Sequence, residues 1–141
     1  MTQVFFYHNA ADRIAAMAAL IGKAFAQKKA LLVFAPDSEI VSTLDRHLWM
    51  HPPTGFIPHV RASSPLATET PIVITDDLES SSQNERLFNL SAEIPTGFSR
   101  FTSVIEVVGR TDDERSAGRE RAKFYKDRGY EVKFIDLAEK H

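Results

Sequence analysis

Cysteine is missing altogether from the 141 residues. Its absence excludes disulfides, thiolate nucleophiles and cysteine-ligated metals, and it fits a reducing, cytoplasmic setting. An excess of charge of one sign is missing too. Seventeen Lys and Arg against nineteen Asp and Glu leave a net charge of −2, so the chain as a whole draws neither nucleic acid nor an anionic membrane, and any such attraction has to be local. No apolar run is long enough to cross a bilayer, and Asp12 and Arg13 interrupt the first residues before a signal-peptide pattern can form. Glycine is sparse, and none follows the first predicted strand, where the sequence reads Tyr7-His-Asn-Ala-Ala-Asp12. Without glycine there, the backbone cannot approach a pyrophosphate closely, and no Lys-Ser/Thr pair of the phosphate-loop kind appears elsewhere. The five histidines, His8, His47, His51, His59 and His141, form no helical pair at metal-ligand spacing. There is no internal repeat.

What is present alternates between two periods. Gln3 to Tyr7 reads as a strand. The spacing of Ile14, Met17, Ala18, Ile21, Ala24 and Phe25 is helical, with Asn9 as the expected N-cap. Ala30 to Ala35 is wholly apolar, which predicts a parallel strand buried on both faces. A second helix starts at Asp37 or Ser38 and turns Ile40, Val41, Leu44 and Leu48 inward; Trp49 ends it and Pro52-Pro53 prevents continuation. Phe56 to Val60 is short and extended. Pro71 to Thr75 and Arg86 to Leu90 read as strands, separated by an acidic, serine-rich surface loop from Asp76 to Glu85, and Ile94 to Arg100 is irregular. Glu131 to Leu137 alternates, as a closing edge strand with one wet face does. Strands alternating with helices predict one α/β domain over residues 1–141, a three-layer sandwich around a mostly parallel central sheet, Rossmann-like but without a nucleotide-binding loop.

The most informative stretch runs from Val104 to Gly129. Val104-Ile-Glu-Val-Val108 reads as a buried strand, and Gly109 marks its exit. Thr111 and Glu114 have capping-box spacing, Asp112 and Asp113 suit the positive end of a helix dipole, and Gly129 closes the helix. At about 100° per residue, Arg115, Arg119, Ala122 and Lys126 share one stripe with Lys123 beside it, while Ala117 and Phe124 lie opposite and are expected to pack inward. A cationic stripe next to a strand end finishing in Val107 and Val108 suits a ligand with both a carboxylate and a hydrophobic side chain.

The remaining chemistry-bearing groups point nowhere in common. Asp76-Asp77 opens a serine-rich loop with no base or nucleophile tied to it, and Ser38, Thr111 and Ser80 to Ser82 read as caps and loop residues. No catalytic constellation, metal site or cofactor site assembles. The basic helix is too crowded with acids to read single strands directly. Trp49, Phe56, Ile57 and Pro58 form an apolar cluster that either packs on the core or docks a protein.

Nearly the whole chain resembles the chi subunit of bacterial DNA polymerase III holoenzyme. The resemblance is carried by Leu44-Asp45, Leu48-Trp49, Pro52 and Phe56-Ile-Pro-His59, and by Gly118-Arg-Glu-Arg121 leading to Tyr125 and Gly129. It implies a non-catalytic accessory subunit that links the clamp loader to single-stranded-DNA-binding protein (SSB) by gripping that protein's acidic C-terminal tail, which ends in proline and phenylalanine. Carried over by position, the resemblance implies tail contacts at Val108, at Arg115 in place of a lysine, and at Arg119. It also implies a departure, because the family's tyrosine falls on Ala122. Phe56, with Trp49 nearby, falls where the family meets psi, its small partner subunit. The expectation from a different class is a divergent nucleotide-binding α/β enzyme, which the missing glycines disfavour.

Overall fold

The computed structural model describes residues 2–27, 29–49, 60–61, 72–76, 85–91, 93–95 and 97–137. Their elements follow in the order β1 (Gln3–Ala10), α1 (Arg13–Ala26), β2 (Leu31–Phe34), α2 (Ser38–Trp49), β3 (Val60–Arg61), β4 (Ile72–Thr75), β5 (Arg86–Asn89), a 3₁₀ turn (Phe98–Arg100), β6 (Ser103–Gly109), α3 (Asp112–Asp127) and β7 (Glu131–Asp136). The seven strands form one sheet in the order β3-β4-β2-β5-β6-β1-β7. Every described pair is parallel, which extends the expectation of a mostly parallel sheet.

The three layers follow from alternation along the central strands. Ile105 and Val107 of β6 turn to the side of α1 and α2, where they join Met17, Ile21 and Leu44. Val104 and Val108 turn to the other side with Val4 and Phe6 of β1, where Ala122 and Tyr125 of α3 cover them. A strand buried on both faces has no room for solvated residues, and this is why β2, β4 and β6 read as near-continuous apolar runs. No described helix is long and apolar enough to cross a membrane.

The end of β1 and the cap of α1 differ from the sequence expectation. β1 continues to Ala10, and α1 is capped by Asp12, whose carboxylate accepts from Ile14 N and Ala15 N. Asn9 is not the cap. It sits in the left-handed region at φ 66°, within the register shift between the Tyr7–Val107 and Ala10–Gly109 pairs of β1 and β6. Its side chain donates to Asp136 at the end of β7, so cross-strand partners far along the chain decide its conformation. For α2, Asp37 supplies the cap through bonds from Glu39 N and Ile40 N.

Candidate functional site

α3 is set on the sheet by the chemistry of its two ends and its inner face. At the start, Thr111 Oγ1 accepts from Glu114 N at 3.1 Å and donates to the Glu114 carboxylate at 2.9 Å. The capping spacing therefore holds, with the glutamate reaching the hydroxyl rather than the Thr111 amide. At the end, Gly129 lies at φ 86°. Gly129 N donates to Lys126 O and Tyr130 N to Tyr125 O, both at 3.0 Å, the paired bonds of a Schellman turn.

The inner face differs from the expected one. Gly118, Arg121, Ala122 and Tyr125 are buried, whereas Ala117 and Phe124 are only half-buried. Phe124 packs at the margin, edge-on to Phe98 and under the Arg128 guanidinium. A charge on β6 accounts for the inward turn of Arg121 and Tyr125. Glu106 is fully buried and faces α3. Arg121 Nε donates to its Oε1 at 2.9 Å, while Tyr125 OH and Asn89 Nδ2 each donate to its Oε2 at 2.8 Å. Burial pushes the Glu106 carboxyl up and the Arg121 cation pulls it back. The Tyr125 hydroxyl is raised by burial and then by the neighbouring carboxylate, so it stays protonated and donating. Arg13, at the start of α1, ties the strand ends together, donating to Val107 O at 2.8 Å and to Ser91 O at 2.7 Å.

With Arg121 and Tyr125 turned in, the remaining cations of α3 turn out along a groove of about 980 Å³. It opens at the carboxyl ends of β1 and β6, where open parallel sheets hold their ligands. One side is α3, the other is β7, and Phe6 and Val108 lie between. All four residues expected from the sequence to share a site line it: Val108, Arg115, Arg119 and Ala122. Ala122 does so from the buried inner face, at 7% exposure, not from the exposed cationic ridge. Gly118 lets the helix lie this close, because a Cβ there would meet Val108 Cγ2 at 2.7 Å.

The electrostatics of the groove run against those of the chain. Arg110, Arg115, Arg119, Lys123 and Lys126 line it against a single carboxylate, Asp127, whereas the whole chain carries −2. Arg115 and Arg119, and Arg119 and Lys123, are neighbours four residues apart on the helix, an arrangement that costs an isolated helix about 0.2–0.5 kcal/mol per like-charge pair. None of these three forms an ion pair with a described residue. The concavity thus offers cations to an incoming anion.

Sequence reasoning missed Phe134. It is the large hydrophobic side chain that stands out as exposed among the described residues, at 49%, and it forms part of the β7 wall. The available signal was its parity with Val132, which packs toward α3. Trp49 ends α2 as expected, but its side chain and all of Phe56 lie outside the described residues, as do Asp77, Ser80 to Ser82, His51 and His59. Asp76 is exposed. Among the described residues, no three His, Asp or Glu side chains gather closely enough to hold a metal.

The family model described as DNA polymerase III chi subunit, HolC, matches residues 1–133. DNA polymerase III subunit chi of Pseudomonas aeruginosa is 29% identical over 134 residues, covering 92% of this chain and 93% of that protein. The Escherichia coli protein of the same name is 29% identical over 105 residues, covering 74% of this chain and 71% of its own length. The Haemophilus influenzae protein is 28% identical over 106 residues, covering 74% and 73%. With the match taking in every element from β1 through α3 and the first half of β7, the chain belongs to the DNA polymerase III chi subunit family.

Proposed function

We propose that this chain is a non-catalytic accessory subunit of DNA polymerase III that links the clamp loader to SSB by holding the acidic C-terminal tail of SSB in the groove between α3 and β7. The observation that carries the reading is the groove's composition: a row of cations without an ion-pair partner among the described residues, Arg115, Arg119 and Lys123, beside an apolar floor that includes Val108 and Ala122. Capture of a C-terminal carboxylate with an apolar anchor needs both parts. Arg115 and Arg119 take the tail's carboxylates, and Val108 takes part of its terminal hydrophobic side chain. The clamp loader is reached from another surface, through psi where that subunit exists, with Trp49 and Phe56 as the docking residues.

A charge-assisted hydrogen bond contributes about 1.5–3 kcal/mol, and about 1.4 kcal/mol is tenfold in affinity. Arg115→Ala and Arg119→Ala are each expected to weaken binding of an acidic peptide ending in Pro-Phe by about tenfold or more. Amidating the peptide's C-terminus is expected to do the same. Calorimetric titration of both variants measures this, and unchanged affinity in both rejects the site.

A further inference from the structure

We infer that Phe134 is the aromatic wall of this groove and reads the side chain of the ligand's last residue. The inference rests on the tail-binding reading above and assigns a determinant to it. Isolated exposed hydrophobics on convex surfaces need no explanation, but Phe134 lies in a concavity. Its ring is braced from below by Phe6, with centroids 5.6 Å apart at 34°, and from the strand end by His8 at 6.2 Å, edge-on. Lys126 Nζ stands 4.7 Å from the ring centroid, reaching across from α3. Half of a fixed phenyl surface therefore stays in water, inside a cleft whose rim is cationic.

That pairing selects its occupant by chemistry. An anionic ligand without an apolar group leaves the ring wet. A hydrophobic one without negative charge leaves Arg115 and Arg119 uncompensated. A peptide ending in an aromatic residue answers both, because its carboxylate lies within one residue of its ring. Ala122 is small and 7% exposed, so α3 presents no ring to the groove at that position. β7 supplies one from the facing wall. Offset or edge-to-face ring pairs prefer centroids about 4.5–7 Å apart, the contact that an incoming ring would make with the exposed part of Phe134.

The test compares two acidic peptides, one ending Pro-Phe and one ending Pro-Ala, by fluorescence anisotropy at low salt. Phe134→Ala is expected to weaken the Pro-Phe peptide about fivefold or more and to change the Pro-Ala peptide less than twofold. Phe134→Tyr is expected to keep both affinities near those of the unaltered protein. Circular dichroism checks that β7 is intact, and Phe134→Thr, which retains strand propensity, replaces the alanine variant if that one unfolds. Equal losses on both peptides, or no loss on either, overturn the assignment. If Arg115→Ala weakens binding and Phe134→Ala does not, the tail site stands and the role of Phe134 falls. If the unaltered protein binds neither peptide, both fall.

Discussion

Arg121→Met removes a charge from the interior while nearly preserving its volume. It leaves the Glu106 carboxylate fully buried, with Asn89 and Tyr125 still donating to it at 2.8 Å each. Breaking a buried ion pair from one side costs about 3–5 kcal/mol, because the abandoned charge keeps its desolvation penalty. A chain of this length loses about 3–4 °C of Tm per kcal/mol, so the variant is expected to melt about 10–20 °C lower at pH 7. Its pH dependence has a definite sign. Burial already holds the folded Glu106 carboxyl above its unfolded value, and the loss of Arg121, the largest opposing influence, raises it further. The folded state then takes up a proton that the unfolded state refuses, so the deficit is full above the folded pKa and shrinks as pH falls through it. Urea denaturation at pH 7 and at pH 5 measures both effects. Glu106→Gln combined with Arg121→Met is expected to cost less than the sum of the single changes, as coupled partners do. A single Arg121→Met variant within about 1 kcal/mol of the unaltered protein at pH 7 would refute the assignment of this pair as the lock between α3 and β6.

Gly118→Val forces side-chain atoms against Val108, whose Cγ2 would be 2.7 Å from the new Cβ. It is expected to cost about 1–3 kcal/mol and to widen the groove, read as a lower Tm with weaker peptide binding. Gly129→Ala puts a Cβ into the left-handed region at φ 86° with open space around it, so the cost is conformational alone, about 1–2 kcal/mol by thermal melt. Raising salt from 0.05 to 0.5 M shortens the screening length from more than 10 Å to about 4 Å. Tail-peptide affinity is therefore expected to drop severalfold, with the drop smaller in Arg115→Ala.

Most of the architecture was legible in the sequence because the sheet is parallel and buried. Leu31 to Ala35 and Ile72 to Ile74 are apolar because both faces are covered, and the caps of α3 are written in Thr111, Glu114 and Gly129. Val108, Arg115, Arg119 and Ala122, which a helical wheel and a strand end placed near one another, all line the groove. The orientation of α3 was not legible. A wheel counts Arg121 as solvated, and only the partner across the interface, Glu106, reverses that count. One signal was available: a lone glutamate inside Val104-Ile-Glu-Val-Val108 has to be paired if the strand is buried. Asn9 misled for a related reason. Its side chain suits a helix start, but β6 and β7 pair with β1 on both sides and carry the strand past it.

The Schellman turn at Arg128 to Tyr130 joins α3 directly to β7, so the two jaws of the groove are consecutive in the chain. A glycine and two backbone bonds fix how wide they stand apart. Changes between Ser103 and Asp136 can therefore re-cut the mouth of the molecule, cations on one jaw and a ring on the other, while α1, α2 and the far half of the sheet stay as they are.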